Sequence, residues 1–350
     1  MANKHALLRV AGALSSVVLL CSTGAAMAQA AGSQPFYAGK KINFLIGAAA
    51  GGGYGVYAEL LARHLGDHIP GRPTIVPQLM PGAGSLTAAN VLYSQAPRDG
   101  TTIGAVFMGA VVEPLIGDRT KARYDSRKFE YIGSANRETS ICFARKELHF
   151  SNWSDALHKP LILAAAGWAS SIRQFPAVLN KVLGTKFKIV SGYPGSRDAI
   201  EAVDKKEAQG LCGIQWSSFA PAFGKWVTSG KVTVFGQISP PPGDAQLNAM
   251  GVPNIWTIAK TSHEKQVLKL IFDQEGFGRP YLTPPGVPKD RLAILRTAFD
   301  ETMKDPAFLA EAKRARLTIN PMSGKQVQAA VAKLYAAPPN IVKEARAALK

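Results

Sequence analysis

Two rhythms of hydrophobic and polar positions trade places along this chain. Lys41–Gly47 (KINFLIG) is a short apolar run with the length of a buried strand, and in Gly55–Leu65 the residues Val56, Leu60, Leu61 and Leu65 recur at helical spacing. PTIVPQLM (73–80) predicts a second strand. PGAG (81–84) then turns into a helix opening near Ser85, a residue type suited to cap it. APRDG (96–100) ends that helix and TTIGAVFM (101–108) predicts a third strand. Strand, helix, strand, helix, strand implies parallel pairing through right-handed crossovers.

FEYIGSA (129–135) and SICFARKEL (140–148) break this order, being strand-like runs with no helix between them, as where a chain crosses into a second domain. There the alternation restarts. PLILAAAG (160–167), FKIVSGY (187–193), QGLCGIQ (209–215) and KVTVFGQIS (231–239) are strands, separated by helices over 171–183, 196–206 and through Trp226. QEGFGRPYLTPPG (274–286) reads as a return crossing, followed by helices over 290–303, 305–315, 323–336 and 339–350. The expected fold is α/β, with two domains, each a doubly wound and mostly parallel sheet, joined by crossing hinge strands. Its bounds are 31–137 for domain 1 and 138–235 for domain 2. Residues 236–350 return to domain 1, with some C-terminal helices packing on domain 2. Two such units imply a cleft that closes by hinge motion.

The first thirty residues stand apart. A basic start (Lys4, Arg9), an apolar run from Val10 to Leu20 and small residues at Ala26, Ala28 and Ala30 have the layout of a secretory signal peptide, cleaved after Ala28 or Ala30. The run is too short to span a membrane. Leu20 before Cys21 argues against lipidation, and without a twin-arginine pair the expected export is unfolded, carrying no cofactor. About 320 residues then remain, enough for two domains. The net charge of +17 is spread along the chain without a basic arm, so a small anion suits it better than nucleic acid. Cys142 and Cys212 survive export into an oxidising compartment, as a disulfide or as two buried thiols.

Loops at the carboxyl ends of parallel strands are where such sheets bind ligands. Here they are Ala48–Tyr54, Met80–Ser85, Phe107–Ala110, Ala166–Ser171, Tyr193–Ser196 and Gln215–Ser218, rich in glycine and small hydroxyls. Bare amides at Gly51, Gly52 and Gly53, set before a helix, suit a carboxylate or phosphate without a lysine or arginine. A tight turn alone would also need them. Gly53–Ala58 matches the dinucleotide pattern G-x-G-x-x-A, but Thr74–Gln78 (TIVPQ) lacks the acid that should follow. There is no P-loop, no G-x-S-x-G elbow and no His-Glu-x-x-His. His64 and His68 lack a third metal ligand, so no metal is expected. An exported hydrolase would have to rely on Ser170 or Ser217 with His149.

The segment 51–106, from GGGYGVYAELLARHL through PGAG and APRDG, resembles the extracytoplasmic solute receptors of tripartite tricarboxylate transporters, the TctC or Bug family. So do FKIVSGYPGSRDAI, QGLCGIQWSSF and YLTPPGVPKDRLAILRTAF. The resemblance implies a periplasmic two-domain (Venus flytrap) binding protein. It would be a monomer without catalytic activity or cofactor, closing on a small organic acid and delivering it to a membrane permease or showing it to a sensor. Carried over by position, first-domain contacts would be Gly51, Gly52, Gly53, Tyr54, Gly84, Ser85, Met108, Gly109 and Ala110. Second-domain contacts would be Gly167, Trp168, Ser170, Ser171, Gly195, Ser196, Trp216, Ser217 and Ser218. Where the family usually has an acid after the glycine loop this chain has Gly55, which disfavours a ligand with an ammonium group. Arg173, in the first turn of the following helix, either reaches the cleft or faces solvent. Trp168 and Trp216 either stack on an aromatic ligand or pack internally.

Overall fold

A computed structural model describes residues 34–349, and the leader and its cleavage positions lie outside them. Tyr37 onward is one compact unit. In chain order it runs β1 (Lys41–Ile46), α1 (Gly53–Leu65), β2 (Thr74–Leu79), α2 (Leu86–Ser94), β3 (Thr102–Ala105), α3 (Met108–Ile116) and β4 (Glu130–Ser134). Next come β5 (Ser140–Arg145), α4 (Trp153–His158), β6 (Leu161–Ala165), α5 (Ser171–Leu183), β7 (Phe187–Ser191), α6 (Ser196–Asp204), β8 (Gly210–Gln215), α7 (Trp216–Thr228) and β9 (Val232–Ile238). The chain closes with α8 (Ala245–Ala249), α9 (Ser262–Phe272), β10 (Pro280–Thr283), α10 (Lys289–Thr302), α11 (Pro306–Arg314), β11 (Met322–Ser323), α12 (Gly324–Tyr335) and α13 (Pro339–Ala348).

The strands form two sheets, one six-stranded in the order β11-β4-β10-β3-β1-β2 and one five-stranded in the order β7-β6-β8-β5-β9. Each sheet with its helices is a lobe. The chain passes between lobes twice, once between β4 and β5 and again between β9 and β10. Both sheets are mixed, each a parallel wound half with antiparallel strands added. β1 pairs in parallel with β2 and β3, whereas β10 is antiparallel to β3 and β4. In the second lobe β6 is parallel to β7 and β8, and β5 is antiparallel to β8 and β9. The strands that cross or return enter from the opposite end, so they must run against the wound half.

Apolar burial joins the lobes as well as filling them. One cluster contains Leu45, Leu92 and Phe129 of the first lobe together with Phe175, Leu179 and Leu163 of the second. The C-terminal helix contributes, with Ile341 and Ala345 buried as α13 packs on α9, α3 and α5. In the second lobe Cys142 and Cys212, opposite each other on β5 and β8, form a disulfide.

Candidate functional site

Six helices begin where the carboxyl end of a parallel strand, or of its neighbour β8, meets the other lobe: α1, α2, α3, α5, α6 and α7. None has a side-chain hydrogen bond capping its N-terminus. Of the other seven described α-helices, α4, α8, α9, α11 and α12 are side-chain capped, and α10 and α13 are not. The first amides of a helix have no intrahelical acceptor, so this region holds unspent N–H groups and the positive ends of six helix dipoles. α1 starts at Gly53, earlier than its hydrophobic spacing suggests, with Gly52 as cap residue. The amides of Gly53, Tyr54 and Gly55 therefore belong to its first turn.

The loops meet in pairs across the lobes, and small residues make the approach possible. A Cβ on Gly53 would collide with Ser218 Oγ, and one on Gly109 with the Ala169 carbonyl oxygen. At Gly84, whose φ is +72°, a Cβ would lie 2.7 Å from the Ser170 amide nitrogen; at Gly167 it would lie 2.6 Å from that of Gly84. Ala169 N–H donates to the Ala83 carbonyl at 3.4 Å. Gly51 faces Arg197, and Gly195 lies opposite Ala49. Between Gly51, Gly52, Gly53, Ser196, Arg197, Ser218 and the apolar Ile200, Ile214 and Phe223 lies a cavity of about 210 Å³. Gly55 is tightly placed, since a Cβ there would stand 2.9 Å from the Ala49 carbonyl oxygen, and no acid fits without a backbone shift.

Several expected contacts have other duties. Ser85 is fully buried at φ +72°, does not cap α2, and donates its proton to the Gly47 carbonyl at 2.6 Å while accepting from Phe107 N–H at 3.0 Å. It pins three loops together and has no proton left for an anion. Ser217 Oγ donates to Glu138 at 2.8 Å, which also removes it as a histidine-activated nucleophile. Trp216 donates to Gln246 at 3.0 Å and stacks on Phe219, inside the second lobe's core. Trp168 has the Lys121 ammonium 3.9 Å and the Arg173 guanidinium 3.5 Å from its ring centroid. Arg173 also donates to the Leu349 carbonyl at 3.4 Å, so it is neither in solvent nor at the glycine loop. Met108 N–H donates to the Tyr54 hydroxyl at 3.4 Å, and the Ala110 carbonyl accepts from Tyr124. Ser171 Oγ accepts from Gln215 at 2.9 Å. His64 and His68 each face a carboxylate, Glu311 at 2.7 Å and Asp305 at 2.9 Å.

Sequence reasoning missed the charged groups of this region. Arg279 is 1% exposed where β10 begins, and its Nε donates to Glu138 at 2.8 Å. Its guanidinium carbon lies 4.2 Å from the Tyr54 ring centroid and 4.7 Å from that of Tyr57. Burial pulls its pKa down, but Glu138 and the neighbouring tyrosines outweigh that and hold it above the ordinary arginine value. Burial pushes the Tyr57 hydroxyl up to about 12, so it stays protonated and donates to the Thr318 carbonyl at 2.8 Å. Glu113, fully buried on α3, accepts from Gln174 of the other lobe at 2.8 Å; burial raises its pKa. Arg279 and Glu113 each stand as a lone charge in an apolar stretch (GFGRPYL, VVEPLI), whereas Glu138 lies in the polar run NRETS and carries no such signal.

No protein-family model and no curated protein matches the chain. Solved structures do match it. Over 89% of this chain and 98% of the other, the fold superposes on the periplasmic binding protein BugD with a TM-score of 0.65 at 20% identity. MatC from Rhodopseudomonas palustris, solved with bound malate, gives 0.67 at 17% identity over 89% and 99%. Another R. palustris protein, solved with adipate, gives 0.66 at 16% over 87% and 97%. The shared feature is the two-domain α/β fold of periplasmic binding proteins.

Proposed function

We propose that this chain is an extracytoplasmic solute receptor of the tripartite tricarboxylate type, closing on a small organic carboxylate and passing it to a membrane permease without chemical change. The observation that carries this is the set of six uncapped helix starts drawn from both lobes onto one cleft. Unspent amides and aligned dipoles hold an anion without full counter-charges. The fold shared with structures solved with malate and adipate supports the same class. We take residues 31–137 with the chain from β10 onward as one moving lobe, and residues from 138 through β9 and α8 as the other. The return lies later than position 236 because β9 runs to Ile238 in the second sheet and Leu247 and Val252 join its core. The protein is monomeric and periplasmic, freed by cleavage after Ala28 or Ala30.

The ligand carries no ammonium group, because no acid stands at position 55 and the tight fit of Gly55 leaves no room for one. Of the proposed contacts, the amides of Gly51–Tyr54, Gly195 and Ser196 and the hydroxyls of Ser171, Ser196 and Ser218 are best placed to donate. A panel of organic acids tested by thermal shift identifies the ligand, since an acid at a hundred times its dissociation constant adds roughly 2.7 kcal/mol. Compaction on binding is then measured by small-angle scattering. If no di- or tricarboxylate raises the melting temperature, the proposal fails.

A further inference from the structure

We propose that Arg279 is a positioning residue that sets the charge requirement of this cleft by holding the Ser218 hydroxyl as a donor toward the cavity. This rests on the carboxylate reading above and adds to it a residue outside the strand-end loops. Arg279 Nη2 donates to Ser217 Oγ at 2.9 Å and to Ser218 Oγ at 2.7 Å. A guanidinium only donates, and a hydroxyl has one proton. Both serines must therefore turn their lone pairs to Arg279 and their protons elsewhere. Ser217 sends its proton to Glu138. Among the described residues no acceptor takes that of Ser218, and Ser218 lines the cavity beside Gly53. Nη1 of Arg279 is also buried without an acceptor.

The inner wall presented to a ligand is thus donor on donor: the first amides of α1 and the Ser218 O–H. Glu138 has its Oε1 engaged by Asn136, Ser217 and Arg279, and at the rim Glu201 is already paired with Arg197 at 3.1 Å, while Asp198 stands beside Gly195. An ionised carboxylate satisfies such a wall, whereas an amide NH2 or an ammonium placed against the α1 amides and Ser218 meets donors there. A lysine at 279 could not bond Glu138 and both serines with the same fork.

The test is a double-mutant cycle read by calorimetry, using whichever of succinate, L-malate or adipate binds the unsubstituted protein most tightly. Ser218→Ala and Arg279→Lys should each weaken binding by about 10- to 100-fold, as for loss of a hydrogen bond to a charged group. Ser218→Thr should stay within about threefold of the parent. In the Ser218→Ala background, Arg279→Lys should add less than about threefold, because it acts through that hydroxyl. Full additivity, or parent-like binding by Ser218→Ala, overturns the inference while leaving the carboxylate reading intact. Should Arg279→Lys fail to fold, the Ala and Thr variants at 218 still decide. Binding of none of the three acids by the unsubstituted protein overturns the inference, whereas the carboxylate reading falls only if no di- or tricarboxylate raises the melting temperature.

Discussion

Helices that begin at the cleft and helices that begin elsewhere are built differently. α9 and α12 carry complete capping boxes, Thr261 with Glu264 and Ser323 with Gln326, which satisfy their own first amides. α1 and α6 start from Gly52 and Gly195, with no side chain to offer. Away from the cleft five of the seven described α-helices are capped by a side chain, the exceptions being α10 and α13, which follow Pro288 and Pro338. At the cleft the first amides are left open, and the approach of the other lobe arranges what surrounds them. All six cleft helices lack a side-chain cap, and α1 and α6 open on the cavity that Gly53 and Ser196 line.

The comparison can be tested by changes on either side of it. Largest is Glu138→Ala, which leaves Arg279 buried without its counter-charge and should lower unfolding free energy by about 3–5 kcal/mol in denaturant titration. An unchanged midpoint would mean that the cleft's charged pair carries no structural weight. Gly109→Ala comes next. Its new methyl strikes the Ala169 carbonyl, disfavouring the closed arrangement by about 1–3 kcal/mol. Acid-induced compaction in scattering should weaken or vanish, while Gly52→Ala, with 3.6 Å to its nearest neighbour, should compact normally. Thr261→Ala, on the remote side, should lower stability by about 1 kcal/mol through loss of the α9 cap, with the acid's dissociation constant unmoved. A large change in binding there would blur the distinction between the two groups.

The smallest effect is a pH dependence. Glu275 is fully buried beside the crossing strands; burial raises its pKa well above the ordinary value, against a hydrogen bond donated by Ser140 at 2.7 Å. A raised carboxyl pKa means that the folded state binds the proton more tightly than the unfolded one. Its contribution is present below the ordinary value of 4.5 and is lost as pH rises through the folded value. Glu275→Gln mimics the protonated form, so its stability relative to the parent should be least in acid and widen as pH rises. A difference that stays flat across that window would show Glu275 to be ionised in the folded protein.

Much of the architecture was legible from local pattern. KINFLIG and PLILAAAG became β1 and β6, and the run of two strands without a helix correctly marked a passage between sheets. α3 escaped notice because all nine of its residues are buried, leaving no polar face to set a helical rhythm. α9 also went unread, although its capping box was in the sequence. Ser85 looked like a helix cap by residue type, yet its backbone is left-handed and its hydroxyl serves β1 and β3. Arg173 stood at the right place in the chain, but its partner carbonyl, Leu349, lies 176 residues away.

Alternating periodicity, turn residues and glycine clusters act over a few neighbouring positions, so the sequence alone determined the order of elements and which loops crowd the strand ends. Only the tertiary structure decided what those loops do: which glycines allow backbone to touch backbone, which serines have a proton left, and that Arg279 stands behind them. The reason is distance along the chain. Arg279 meets Glu138 across 141 residues and Ser217 across 62, and no local rule carries information over such spans.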